Sequence, residues 1–251
     1  MVANGNGGAG GTGGNGFGAV YDAVGGLHLT NCTLAFNSAN GGWGGEGGAG
    51  GGSGTSNPGF PGPGGSSGAG VGGGINGGFI INTLLAANGG NCSGSVTDGG
   101  HNLSSDGTCS FTNVGSMNNT DPNIGPVADN GGPTLTMALL PGSPAIDAGN
   151  PSLAPGTDQR GFPRPAGLAP DIGAFEYGSV MPTISVTRPG ATGLNILARG
   201  NAGQSCWLLV STDLSSWVPL ATNQIGANGT VLFFDNYAPG GACRFYRLVM
   251  P

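Results

Sequence analysis

A segment that occurs twice, with glycine between the copies, limits the possible folds of this chain more than any other feature. Asn31-Cys32-Thr33-Leu34-Ala35-Phe36-Asn37 matches Asn82-Thr83-Leu84-Leu85-Ala86-Ala87-Asn88, and upstream Gly26-Leu27-His28-Leu29 matches Gly77-Gly78-Phe79-Ile80. Between the copies lie residues 41–74, where 19 of 34 positions are glycine. With that insert subtracted, the period is roughly 17–20 residues, about one coil of a stacked repeat in which no coil covers its own apolar face. Period two places Leu27 and Leu29 on one strand face. Leu34 and Phe36 share a face with shifted parity, and Leu85 and Ala87 repeat that phase. A corner at Asn31-Cys32 accounts for the shift. Asn31 and Asn82 then stack at equivalent corners, where side-chain amides satisfy groups that a bare corner leaves buried and unpaired. The pattern predicts an all-β protein built on a parallel β-helix of few coils with a Gly-rich loop insert.

Of 251 residues, 57 are glycine and 18 proline, yet 37% are hydrophobic, so the glycine must be concentrated if a core is to form. The insert carries one charge, Glu46, and the large aromatic Trp43. So many glycines are costly to order, which favours a flexible loop leaving one corner of the coil. The alternative is a packed polyproline-II glycine bundle; collagen is excluded because no strict third-position register runs through the insert.

The net charge is −6, and all six basic residues are arginine. That balance argues against nucleic-acid partners and against anionic lipid surfaces. No apolar run is long enough to span a bilayer. No signal peptide is evident at Met1, as expected of a mature domain cut from a longer precursor. Of the five cysteines, Cys92 and Cys109 flank a short loop, and Cys206 and Cys243 flank strand-like segments. Both pairs are expected as structural disulfides of an oxidising compartment, with Cys32 a buried thiol; five free thiols is the opposing reading.

Several ordered motifs carry a resemblance. They are Asn91-Cys92-Ser93-Gly94, Gly99 to Asp106, Cys109, Asp121-Pro122, Leu135 to Asp147, Thr157 to Gly161 and Asp171 to Glu176. Together they resemble the closing region of bacterial β-helix proteins with a choice-of-anchor Q domain. The resemblance implies a right-handed parallel β-helix, secretion to the extracellular space or cell surface, a variable C-terminal attachment and no catalytic activity. Met137 stands where members often carry His, which weakens a metal site there. Residues 179–251 resemble small C-terminal β-domains of secreted bacterial proteins, through Ser211 to Trp217 and Arg244-Phe245-Tyr246-Arg247. Strands at 206–210, 230–234 and 244–249 suit a small β-sandwich. The expected division is therefore 1–178 and 179–251.

Candidate chemistry is sparse. A glycosidase needs two carboxylates across a scissile bond, and a lyase needs a base beside acidic calcium ligands. The first coil offers only Asp22 and His28. Asp98 and His101 resemble half a metal site, or an Asx turn beside a surface histidine. Asp147, Asp158, Asp171 and Glu176 either bind calcium or pair with Arg160 and Arg164, and pairing by Arg160 is favoured. Trp207 is expected in the core beside Cys206, and Trp217 in a more open position, with sugar stacking as the alternative for both. No catalytic, cofactor-binding or metal site is therefore assigned. The expected function is a secreted or cell-surface structural or adhesive protein, not an enzyme, whose partner is a carbohydrate or the cell envelope. The alternative is a carbohydrate-binding or polysaccharide-degrading protein.

Overall fold

The computed structural model describes residues 8–17, 19–49, 60–71, 73–190, 193–236 and 243–250. Every regular element among them is a β-strand. The chain divides into two compact units, Met1–Pro122 and Asn123–Pro251. The expected boundary at 178/179 falls inside the second.

In the first unit the strands are β1 (Gly16–Phe17), β2 (Val20–Tyr21), β3 (His28–Thr30), β4 (Thr33–Ala35), β5 (Gly70–Val71), β6 (Ile75–Ile81), β7 (Leu84–Ala86), β8 (Cys92–Asp98) and β9 (Leu103–Ser104). All pair in parallel. β2 and β3 lie on β6, which lies on β8; β4 lies on β7, which lies on β9. The register puts Leu29 on Ile80 and Leu34 on Leu85, as the repeat requires. Leu103 continues the stack through a parallel bridge to Met117. The side chains of Leu34, Ile75, Ile80, Leu85, Cys92 and Phe111 form one buried cluster, with Leu27, Leu29 and Cys32 packed against it. Each fully buried aliphatic side chain contributes roughly 1.5–3 kcal/mol.

Asn31, Asn82 and His101 stand at equivalent positions two residues before β4, β7 and β9, with φ of 50°, 50° and 51°. This left-handed geometry disfavours most side chains but is tolerated by Asn. Asn82 Nδ2 donates to Asn31 Oδ1 at 3.1 Å. The next corner corrects the sequence reading. Phe36 and Ala87 have φ of 58° and 51°. The left-handed turn breaks the period-two alternation, so Phe36 points outward at 65% exposure and Ala87 is exposed too. The residue after each turn faces inward instead, as a second ladder. Asn37 Nδ2 donates to Asn88 Oδ1 (2.9 Å), Asn88 Nδ2 to Asn91 Oδ1 (2.9 Å), and Asn91 Nδ2 to Ser104 Oγ (2.9 Å).

The insert is the larger correction. Its residues 50–59 and 72 lie outside the described set, but 41–49 and 60–71 are not a loose loop. Segments 8–16, 41–48 and 62–70 form a three-chain bundle joined by nine backbone hydrogen bonds at a three-residue period. Gly10, Gly13 and Gly16 donate to the carbonyls of Pro63, Ser66 and Ala69. Gly42, Gly45 and Gly48 donate to Gly14, Gly11 and Gly8, and Gly62, Gly65 and Gly68 donate to Gly48, Gly45 and Gly42. The three-residue period is that of polyproline-II chains. Two chains run parallel and the middle one runs against them, which separates the bundle from collagen. The entropy argument for a flexible loop failed because it omitted these bonds. A Cβ on Gly13 would lie 1.9 Å from Gly42 O, and one on Gly68 1.9 Å from Gly14 O, so only glycine lets the chains approach this closely.

The second unit holds β10 (Ile124–Ala128) paired antiparallel with β11 (Thr136–Leu139), then a turn-rich stretch to residue 178. Beyond it are β12 (Thr183–Thr187), β13 (Leu194–Arg199), β14 (Ser205–Ser211), β15 (Val218–Gln224), β16 (Thr230–Asp235) and β17 (Phe245–Val249). They form two antiparallel sheets, β12-β13-β16 and β15-β14-β17. Ile196, Ala198 and Phe233 from the first share one core with Cys206 and Leu208 from the second. Across residue 178/179, Ser179 Oγ (2.7 Å) and Asn201 Nδ2 (3.5 Å) donate to Pro163 O.

Candidate functional site

Cys92 and Cys109 form a disulfide, as expected. Cys206 and Cys243 do not pair, against expectation: both are free, Cys206 buried and Cys243 exposed. The register explains the separation. Trp207 lies opposite Val249 and Ser211 opposite Phe245, so Cys206 sits at the end of β14 farthest from Cys243. Antiparallel pairing thus sets the two apart by roughly 20 Å of strand. Cys32 is free and half-buried, and burial pushes its thiol up, as it does that of Cys206.

Asp98 accepts hydrogen bonds through both carboxylate oxygens. Asp98 Oδ1 accepts from Gly100 N (2.9 Å), Asn102 Nδ2 (2.8 Å) and Ser116 Oγ (2.8 Å). Its Oδ2 accepts from Thr112 N (3.0 Å) and Asn113 N (2.8 Å). Burial pushes this carboxyl up, but the hydrogen bonds from Asn113, Asn102, Gly100 and Ser116 outweigh it and hold the group below its ordinary value. Asp106 is held low in the same way by Thr108, Asn91 and Ser104, again against burial. Both carboxylates fix the loops around β8 and β9 through backbone N–H groups. The Asx turn at Asp98-Gly100 is the reading that survives.

The acidic residues of 147–176 assemble with both arginines. Asp158 Oδ2 accepts from Arg160 Nε (2.9 Å), from the Arg160 guanidinium NH2 (2.7 Å) and from Glu176 N (3.0 Å). The Arg160 guanidinium lies between the rings of Phe162 and Phe175, 4.2 and 3.6 Å from their centroids. Glu176 Oε2 accepts from the Arg164 NH1 (2.6 Å) and from Asp171 N (2.9 Å). Asp171 in turn accepts from the backbone N–H groups of Asp147 and Tyr177. Burial, with the nearby Glu176 charge, pushes Asp171 up to about 6 against those bonds, and burial also raises Glu176 against the pull of Arg164. Each arginine thus faces a buried carboxylate, and the remaining acceptors are filled by backbone N–H groups. Among the described residues no group of three or more His, Cys, Asp and Glu side chains is arranged to hold a metal ion. Met137, on β11, is half-buried.

The tryptophans reverse their expected places. Strand alternation buries Cys206 and Leu208 and so turns Trp207 outward, at 45% exposure. Trp217 is half-buried, its Nε1 donating to Leu214 O (3.1 Å) and its ring covered by Arg247 at 4.3 Å. The features missed from sequence are the second Asn ladder and Trp43. Asn37 and Asn88 stand at equivalent places in the repeat, so that signal was present. Trp43 is 92% exposed at the edge of the glycine bundle. It borders a groove whose other walls are Ala39, Asn40, Gly41, Ser67, Gly68 and Gly70. The chain matches no known protein family, no curated protein and no solved structure. No helix among the described residues is long and apolar enough to cross a membrane.

Proposed function

We propose that this chain is a structural or adhesive part of a secreted or cell-surface protein and is not an enzyme. Residues 1–178 serve as the end of a right-handed parallel β-helix with a choice-of-anchor Q-like region, and 179–251 as a small β-sandwich. The observation that carries this reading is the in-register parallel stacking of β3 on β6 and β4 on β7, with Asn31 and Asn82 bonded at one corner. Cys92–Cys109 supports the oxidising compartment. The carboxylates of Asp98, Asp106, Asp158, Asp171 and Glu176 each accept backbone N–H groups, a use that suits scaffolding rather than acid–base chemistry. The test is mass spectrometry of the protein from its native source, alkylated under denaturation without reduction. The expected result is secreted protein with Cys92 and Cys109 protected and Cys32, Cys206 and Cys243 alkylated. Five alkylated thiols in protein retained inside the cell would overturn it. One observation favours a carbohydrate-binding role as a second reading: the outward Trp207 on the β15-β14-β17 sheet, whose β17 also carries Arg247 over Trp217.

A further inference from the structure

The glycine bundle leaves each chain one free edge, and on the middle chain that edge is unusual. Positions 41, 44 and 47 face the 62–70 chain: a Cβ on any of them would come within 2.0 Å of the carbonyls of Gly68, Gly65 and Gly62. Positions 42, 45 and 48 donate to the 8–16 chain. Only 43, 46 and 49 point away, and they are Trp43, Glu46 and Ala49. An indole at 92% exposure contributes almost nothing to folding and leaves its ring face open to a ligand. The groove beside it has a floor without side chains at Gly41, Gly68 and Gly70, and polar walls at Asn40 and Ser67.

We propose that this groove is a subsite for a neutral sugar ring. The indole face takes up the C–H face of a pyranose, and the Asn40 amide, the Ser67 hydroxyl and bare glycine backbone meet its hydroxyls. A small number of placed polar groups around an aromatic wall is the general form of such sites. The bundle is held by nine backbone hydrogen bonds, so little ordering cost accompanies binding. Charge selects the class of glycan. No basic residue lines the groove, and the net charge of −6 repels acidic polymers. Glu46 stands one polyproline-II turn away, about 9 Å along the chain. It offers a hydroxyl acceptor to the next sugar of a neutral polymer. A quaternary ammonium ligand is disfavoured, because a single ring lines the groove where a cation cage uses several. This inference does not depend on the structural role proposed above.

The test titrates the full chain with cellohexaose and mannohexaose by calorimetry and tryptophan fluorescence. Polygalacturonate and tetramethylammonium serve as the charged comparisons. The expected result is saturable binding of a neutral hexaose, weakened about tenfold or more in Trp43→Ala, a loss of about 1.4 kcal/mol. Trp43→Phe should restore part of it, and Ser67→Ala should weaken it less. The thermal melt of Trp43→Ala should match the parent, since the indole is outside the packing. Equal binding by Trp43→Ala, a response to tetramethylammonium or polygalacturonate alone, or no saturable binding up to about 10 mM of either hexaose overturns the proposal.

Discussion

Gly13 and Gly14 are neighbours in one chain of the bundle, yet substitution to alanine should affect them in opposite directions. A Cβ on Gly13 would stand 1.9 Å from Gly42 O and 2.5 Å from Gly42 C, both backbone atoms that cannot rotate aside. Relief requires the 41–48 chain to retreat by more than an ångström. That retreat disturbs the bonds Gly13 N to Ser66 O, Gly42 N to Gly14 O and Gly68 N to Gly42 O. With about 1 kcal/mol net for each of the three bonds and overpacking of about 1–3 kcal/mol, Gly13→Ala should destabilise the bundle by roughly 4–6 kcal/mol. Gly14 has nothing within 4 Å of its Cβ position and no positive φ. Gly14→Ala should be neutral or stabilising by about 0.4–1 kcal/mol, because alanine restricts the unfolded chain. Amide exchange over 8–16, 41–49 and 60–71 reads the local effect, and a denaturant melt reads the global one. Protection of Gly42, Gly45 and Gly68 should fall by about three to four orders of magnitude in Gly13→Ala and hold in Gly14→Ala. If the two variants exchange alike, the close-packed bundle is wrong and the insert is the loose loop that entropy alone suggests.

Other perturbations probe the rungs and the charged cluster. Cys92→Ser should cost roughly 3 kcal/mol in a denaturant melt through the loss of a 17-residue closure, and reductant should destabilise the parent but not the variant. Asn82→Ala should cost about 2–3 kcal/mol in the same melt, since it keeps φ at 50° without the asparagine preference and removes the bond to Asn31. Arg160→Met should cost about 3–5 kcal/mol by leaving the buried Asp158 carboxylate unpaired. Asp171, raised to about 6 when folded, binds its proton more tightly than in the unfolded chain, so its contribution is complete below about pH 4 and is lost as pH rises through 6. Asp98 and Asp106, held low, contribute above about pH 4 and lose that contribution as pH falls. Side-chain carboxyl NMR titrations should show the two directions, and a normal midpoint for Asp171 would refute the first.

The sequence made the parallel pairing of β4 with β7 legible because the two segments repeat their chemistry. Asn31 over Asn82 and Leu34 over Leu85 needed only an alignment of the chain with itself. Phe36 was misplaced because a left-handed corner residue leaves no mark in alternation, and Phe is not a residue that advertises positive φ. The glycine bundle was hidden for a different reason. Its partners, 8–16 and 62–70, are far apart in sequence, and its bonds use the backbone alone, so composition reads as disorder. In the second unit the Arg160 pairing was visible as nearby opposite charges. The Cys206 to Cys243 pairing failed because the register of β14 against β17 cannot be read from the spacing of two cysteines. Trp207 was misassigned because Cys206, its neighbour, took the inward position.

The stacking of parallel rungs is tested most directly by through-hydrogen-bond couplings between backbone amides and carbonyls in solution. The account predicts correlations from Leu84 N–H to the Cys32 carbonyl, from Leu103 N–H to Thr83 and from Ser105 N–H to Leu85. It also predicts correlations from Phe79 N–H to Leu27 and from Ile75 N–H to Asn91. Each runs between successive rungs with the offset slant of a parallel ladder. Reciprocal pairs, in which two residues exchange both bonds as in an antiparallel ladder, or the absence of these couplings in folded protein, would contradict the parallel ladders.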